Sequence, residues 1–201
     1  MKVVQYNHWR TAMPHHDHAH GNRPIEGRHS RNYDRMARLL MKPVYRRIAA
    51  DIAASAPRGA ALLDIGTGPG ILLQALHRTR PDLRLSGVDL AADMVDLARR
   101  NLGDRAELHA ADAAALPFED DRFDLVVSSY SSHHWGDPRA GADEIARVLK
   151  SGGRLLNYDF PHAPWDALTA SGLAAVRRSP FKAGWTSLIM KTTRLEAEKR
   201  P

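Results

Sequence analysis

The chain has 201 residues and a net charge of +6, with 43% hydrophobic and 26% charged residues, a balance that suits one globular domain with a substantial core. Cysteine is absent, which excludes disulfides, thiolate metal sites and cysteine nucleophiles. No apolar run reaches membrane-spanning length and no secretory signal pattern is present, so a cytoplasmic protein without a membrane span is expected.

Residues 1–30 stand apart. His15-His16-Asp17-His18-Ala19-His20 and the following Gly-Asn-Arg-Pro carry no hydrophobic period, and Ile25-Glu26-Gly27-Arg28 matches a protease site used in expression tags. A disordered His-rich arm is expected, either natural or tag-derived. Residues 31–56 read as an N-terminal helical lid. Tyr33, Met36, Ala37, Leu40, Met41, Val44, Tyr45 and Ile48 recur at helical spacing, with Pro43 expected to split or kink the run. The main domain is expected over 57–195.

That domain opens with Ala61-Leu62-Leu63-Asp64-Ile65, a short apolar run with an acid near its end. Gly66-Thr67-Gly68-Pro69-Gly70 follows, then the helical Ile71-Leu72-Leu73-Gln74-Ala75-Leu76. A buried strand, a tight turn and a helix N-terminus are expected, with Pro69 suited to a first helical turn. Glycine accepts φ > 0 there and lets a ligand approach the backbone, so the unit is a candidate site for an adenosine-containing cofactor. Nicotinamide and flavin sites use Gly-x-Gly-x-x-Gly, but Ile71 stands where that third glycine would be.

Further along, Leu83–Asp89 reads as a second strand, and Asp89 lies nineteen residues past Gly70. A carboxylate at about that spacing accepts from both ribose hydroxyls. A helix is expected over Ala91–Leu102, with Met94 on its inner side and Gly103 ending it. Arg105–Ala110 reads as a third strand, followed by Asp112 and Ala113. Leu116-Pro117-Phe118 leads to Phe123-Asp124-Leu125-Val126-Val127, the central fourth strand. Ser128 to Trp135 should then sit at the C-terminal strand ends, where open α/β sheets bind ligands. Asp137-Pro138 caps a helix through Leu149, and Lys150–Gly153 is a turn before a fifth strand, Arg154–Phe160. Trp165–Gly172 reads as a short helix; Leu173–Ser179 and Trp185–Thr192 would close the sheet as an antiparallel pair.

The Asp-x-Gly-x-Gly-x-Gly turn, the Leu-Pro-Phe and Phe-Asp-Leu-Val-Val phrases, and His133-His134-Trp135 followed by Glu-Ile-Ala-Arg-Val-Leu-Lys-x-Gly-Gly resemble the class I S-adenosylmethionine-dependent methyltransferases. Within that class they are similar to the small-molecule branch containing the ubiquinone/menaquinone C-methyltransferases. The resemblance implies a Rossmann-like α/β fold: a seven-stranded, mostly parallel sheet with helices on both faces, a final antiparallel strand pair and an N-terminal helical extension. It implies S-adenosylmethionine as cofactor, giving S-adenosylhomocysteine. Asp64, Gly66, Thr67, Gly68 and Gly70 would surround the methionine portion and Asp89 and Leu90 the ribose, with Met94 a further cofactor contact. Asp112 and Ala113 would meet the adenine, and Ser128 and Ser129 would line the floor beside the sulfonium. Tyr33, Tyr130, Trp135 and Tyr158 are candidate acceptor contacts, with Asp159 and His162 behind them.

His133 and His134 are candidate general bases, because imidazole titrates near neutrality. No metal is expected, since the acidic ligands of catechol-type O-methyltransferases are missing. The Asn/Asp-Pro-Pro-Tyr motif of nucleic-acid amino-methyltransferases is also missing. Arginines such as Arg46-Arg47, Arg99-Arg100 and Arg177-Arg178 are scattered and not interleaved with aromatics, which disfavours a nucleic-acid partner. A small-molecule methyl acceptor is expected, with a homodimer one option for assembly. A cofactor-binding protein without turnover and a dinucleotide-dependent oxidoreductase remain alternatives.

Overall fold

A computed structural model describes residues 41–169, 172–182 and 191–200. Tyr33, the His-rich arm and residues 185–190 of the expected closing strand lie outside these. Seven strands form one sheet: β1 Ala61–Ile65, β2 Arg84–Asp89, β3 Glu107–Ala110, β4 Phe123–Ser129, β5 Leu149–Asp159, β6 Leu173–Phe181 and β7 Thr192–Lys199. Their order is β3-β2-β1-β4-β5-β7-β6. The first five are parallel neighbours, and β7 runs antiparallel to both β5 and β6. From β1 the chain builds outward to β3, then returns to β4 on the other side. The strand order therefore reverses between β1 and β4, and the C-terminal ends of these two strands are where such sheets bind ligands.

Helices cover both faces. On one side α1 (Lys42–Ser55), α2 (Ile71–Thr79) and α3 (Ala92–Leu102) bury Ile48, Ile52, Leu72, Leu76, Val95 and Leu102 against Leu62, Leu125, Val127, Leu156 and Tyr158. On the other, α4 (Pro138–Val148) and the segment around Trp165 and Leu168 cover Leu63, Ile65, Val126, Leu155 and Leu195. Near-continuous apolar strands follow from this double coverage. Asp137 caps α4 by accepting from the Arg139 and Ala140 amides, both at 3.0 Å.

Several expected boundaries shift. Pro43 occupies the first turn of α1, where its missing N–H leaves no hydrogen bond unmade; the part of the expected helical run before Met41 lies outside the described residues. The expected Lys150–Gly153 turn lies inside β5, with a register irregularity opposite Phe123–Leu125. Only one 3₁₀ turn, Ala167–Thr169, forms among the described residues of the expected Trp165–Gly172 helix. The last strand occupies Thr192–Lys199, so the sheet runs past the expected edge at 195. There Leu195 and Ala197 point inward on alternate positions, the period that makes this charged stretch a strand.

Candidate active site

The turn after β1 is built as its residue types require. Gly66, Gly68 and Gly70 have φ of 72°, 52° and 77°, in the left-handed region open to glycine at low cost. Gly66 is also packed tight, since a Cβ there would lie 1.9 Å from Ser131 Oγ. The turn is tied down on every side. The Gly66 and Thr67 amides donate to the Val88 carbonyl, each at 2.9 Å. The Gly68 amide donates to Asp89 Oδ2 at 2.8 Å, and Asn101 Nδ2 donates to the Pro69 carbonyl at 2.8 Å.

Two carboxylates lie under and beside it. Asp64 is 1% exposed; its Oδ2 accepts from the Thr67 hydroxyl at 2.9 Å, whereas buried Oδ1 has no hydrogen-bond partner. Burial pushes its pKa up to about 7, opposed by the Thr67 hydrogen bond and reinforced by Asp89. Asp89 accepts from the Gly68 and Ala91 amides, and burial raises its pKa as well. Such a pair of desolvated acids favours a cation brought from outside.

A second cluster forms where β4 and β5 end side by side. Asp159, fully buried, accepts four hydrogen bonds. They come from the Ser132 hydroxyl at 2.6 Å, His133 Nδ1 at 2.7 Å, the Phe160 amide at 2.8 Å and the His133 amide at 3.2 Å. These donors outweigh burial and hold its carboxyl below the ordinary range. Asn157 Nδ2 supports the group by donating to Ser132 Oγ at 2.9 Å. His133 borders a cavity of about 460 Å³ between the 132–138 segment and His162–Pro164. Ser131 joins the two clusters, lying against Gly66 and accepting from Trp135 Nε1 at 3.0 Å.

The remaining candidates distribute as follows. Leu90 is 41% exposed beside Asp89, whereas Met94 is buried against Ala91 and Leu97. Asp112 Oδ1 accepts from the Ala114 amide, and Ala113 is buried. Ser128 and Ser129 are both buried, and Ser128 Oγ has no partner. Tyr130 takes a left-handed φ of 51° and its hydroxyl pairs with Thr192 Oγ1 at 2.7 Å. Trp135 and His134 line the cavity with His133. Tyr158 requires correction as an acceptor contact. Its ring is fully buried on the α1 face, and its hydroxyl donates to Asp51 Oδ2 at 2.6 Å, a carboxylate also held by Arg194. Strand alternation turns Tyr158 away and its neighbours Asn157 and Asp159 toward the cavity side. Ser132 lies within the run expected at the strand ends, whereas Asn157 and the pairing of Asp159 with His133 carry no local signal in the sequence. No group of three or more His, Cys, Asp or Glu among the described residues is placed to hold a metal ion.

The fold is the Rossmann-like α/β sheet also seen in solved methyltransferase structures. Residues 63–157 match the family described as Methyltransferase domain. The chain is 37% identical over 139 residues to a demethylmenaquinone methyltransferase of Thermus thermophilus, covering 66% of this chain and 62% of that one. It is also 37% identical over 120 residues to the enzyme of the same name from Clavibacter sepedonicus, covering 59% and 48%. The chain thus spans about half to three-fifths of these relatives' length.

Solved structures show the same fold. A Methanococcus maripaludis protein described as an S-adenosyl-L-methionine-dependent methyltransferase superposes with a TM-score of 0.74 at 22% identity, covering 91% of this chain and 97% of that one. The [4+2]-cyclase SpnF superposes at 0.66 and 19% identity, covering 77% and 81%. The second example shows that this fold by itself does not fix the reaction.

Proposed function

We propose that the chain is an S-adenosylmethionine-dependent methyltransferase acting on a small-molecule acceptor. The observation that carries the reading is the Asp64 carboxylate, buried under the glycine turn with one oxygen unpartnered and Asp89 close by. The residues fit that cofactor. Acids suit its ammonium and sulfonium, the glycines give backbone access, and Asp89 retains lone pairs for ribose hydroxyls. Asp64, Gly66, Thr67, Gly68 and Gly70 would hold the methionine end, Asp89, Leu90 and Met94 the ribose, and Asp112 and Ala113 the adenine. Ser128 and Ser129 would floor the site.

The cofactor supplies a methyl carbon already activated for displacement. The chain's own part is then alignment and exclusion of water. The cavity beside His133 is the candidate acceptor site, with Trp135 on its wall and Tyr130 packed against Phe160 nearby. His133 and His134 remain the candidate bases. The names of the relatives make reduced demethylmenaquinone the first acceptor to test.

Calorimetric titration with S-adenosylmethionine, S-adenosylhomocysteine and NAD⁺, with Asp89→Ala as control, tests the cofactor. Transfer of labelled methyl to reduced demethylmenaquinone and to a panel of phenols and amines tests the reaction. Binding of the adenosyl pair with loss in the variant is expected; binding of NAD⁺ alone would replace the reading with a dinucleotide enzyme. A cofactor-binding protein without turnover is the second reading, since the fold alone does not fix a reaction.

A further inference from the structure

We propose that His133 is the proton acceptor of methyl transfer and that Asp159 is the positioning residue that makes it one. The inference rests on the methyltransferase reading above and chooses between the two adjacent histidines.

The argument begins with what a carboxylate can do. An ionised Asp159 only accepts hydrogen bonds, so at its 2.7 Å contact with His133 Nδ1 the ring must donate. A neutral His133 therefore carries its proton on Nδ1 and its lone pair on Nε2, the tautomer a general base needs. The carboxylate cannot turn away, because the Ser132 hydroxyl holds its other oxygen at 2.6 Å and Asn157 fixes Ser132 in turn. The backbone helps, since the His133 and Phe160 amides both donate to the same carboxylate. The ring itself is packed. His134 lies with its centroid 3.9 Å away, and Phe160 contacts it edge-on at 5.0 Å.

Location matches this preparation. No described residue hydrogen-bonds Nε2, and His133 lines the 460 Å³ cavity with 16% of its side chain exposed. Among the described residues no carboxylate lines that cavity, whose walls are Ser132, Trp135, Pro138, Pro164 and the histidines. Ser131, two residues before His133 in the chain, abuts Gly66 of the glycine turn. His134 is the more exposed of the two, whereas His133 is the ring held by Asp159.

The step balances. An acceptor X–H gives its proton to His133 Nε2, and the freed electron pair on X bonds the methyl carbon. The carbon–sulfur bond breaks with its electrons to sulfur, so the sulfonium charge disappears as the imidazolium charge appears. Acceptors with a removable proton on oxygen, nitrogen or activated carbon fit this site.

The test uses the full chain, ¹⁵N-labelled and saturated with S-adenosylhomocysteine, at about pH 8.5, where an ordinary imidazole is neutral. Long-range ¹H–¹⁵N correlation reads the tautomer of His133, assigned with His133→Gln. The expected result is the Nδ1–H form, shifting toward Nε2–H in Asp159→Asn, because an amide presents a donor where the carboxylate accepted. Methylation of the panel acceptors gives the second readout. Loss of about 10²–10⁴-fold in kcat is expected for His133→Gln and Asp159→Asn, with KM for S-adenosylmethionine unchanged, and less than about threefold loss for His134→Gln.

An Nε2–H tautomer in the unmodified chain overturns the proposal, and so does turnover that survives His133→Gln. A chain that binds S-adenosylhomocysteine and shows the expected tautomer but methylates no acceptor also overturns it. Failure to bind the cofactor pair overturns the methyltransferase reading instead, whatever the tautomer.

Discussion

Asp64 and Asp159 stand at or near the C-terminal ends of two strands of one sheet, and both are essentially buried. Their chemistry is opposite. Asp64 has one hydrogen-bond donor and an unpartnered oxygen, and burial lifts its pKa to about 7. Asp159 has four donors, and they hold it below the ordinary range. Burial is common to both, so donor count decides which acid keeps its charge. One carboxylate is completed by the protein; the other is left for something cationic to complete.

Removing each acid should give the largest contrast. Asp159→Ala strands the Ser132 hydroxyl, the His133 ring N–H and two amides together, and a stability loss of about 3–5 kcal/mol is expected. Asp64→Ala removes a desolvated carboxylate with one partner and should change stability by no more than about 1 kcal/mol. Urea unfolding at neutral pH measures both. Equal losses would show that donor count is not what separates them.

The pH dependence should also split. Asp64 has a folded pKa above its unfolded value, so its contribution is fully present below about pH 4 and is lost as pH rises through about 7. Asp159 has a lowered folded pKa, so its contribution is present above the ordinary carboxylate range and is lost as pH falls below it. Cofactor affinity follows Asp64. Binding of the cationic cofactor should strengthen with pH by up to about tenfold per unit below pH 7 and level off above it. Calorimetry between pH 5.5 and pH 8.5 reads the slope, and Asp64→Asn should flatten it. A slope that persists in that variant assigns the titration elsewhere.

A smaller effect isolates the single donor of Asp64. Thr67→Val keeps the side-chain shape and deletes the 2.9 Å hydrogen bond. At pH 8 this should cost about 1–3 kcal/mol, because a buried carboxylate then has no partner at all. The cost should shrink toward pH 5, where Asp64 is protonated in either protein. Thermal melts at the two pH values give the comparison, and a pH-independent loss would trace it to packing alone.

These two halves were not equally legible in the sequence. The Asp64 turn is contiguous: strand, glycines and helix start follow one another, and Asp89 arrives at a set spacing on the next strand. Local rules of turn and periodicity suffice for it. The Asp159 cluster is assembled by topology. His133 and Asp159 lie 26 residues apart, joined only because α4 returns the chain to a strand parallel to β4. Side-chain parity then decides which residue faces the cavity, and a one-residue ambiguity at a strand end is enough to favour Tyr158 over Asp159. The last strand hid for a related reason. Thr-Thr-Arg-Leu-Glu-Ala-Glu-Lys contains good helix formers, and only its alternation with the sheet beside it makes it β7.

A modest effect on stability is expected at Gly68, and it bears most directly on what the turn is for. Its neighbour Gly66 is filled from behind by Ser131, but a Cβ on Gly68 meets nothing within 4 Å. The strain of placing alanine at φ 52° is then the whole structural cost, about 1–2 kcal/mol, and the amide that donates to Asp89 is retained. If that open space belongs to the cofactor, Gly68→Ala should weaken S-adenosylhomocysteine binding by tenfold or more, beyond what a methyl at the protein surface would do. Differential scanning calorimetry and titration on the same sample separate the two numbers. Binding that falls no further than stability would mean the turn is shaped for the fold alone, and the unpartnered oxygen of Asp64 would then need another explanation.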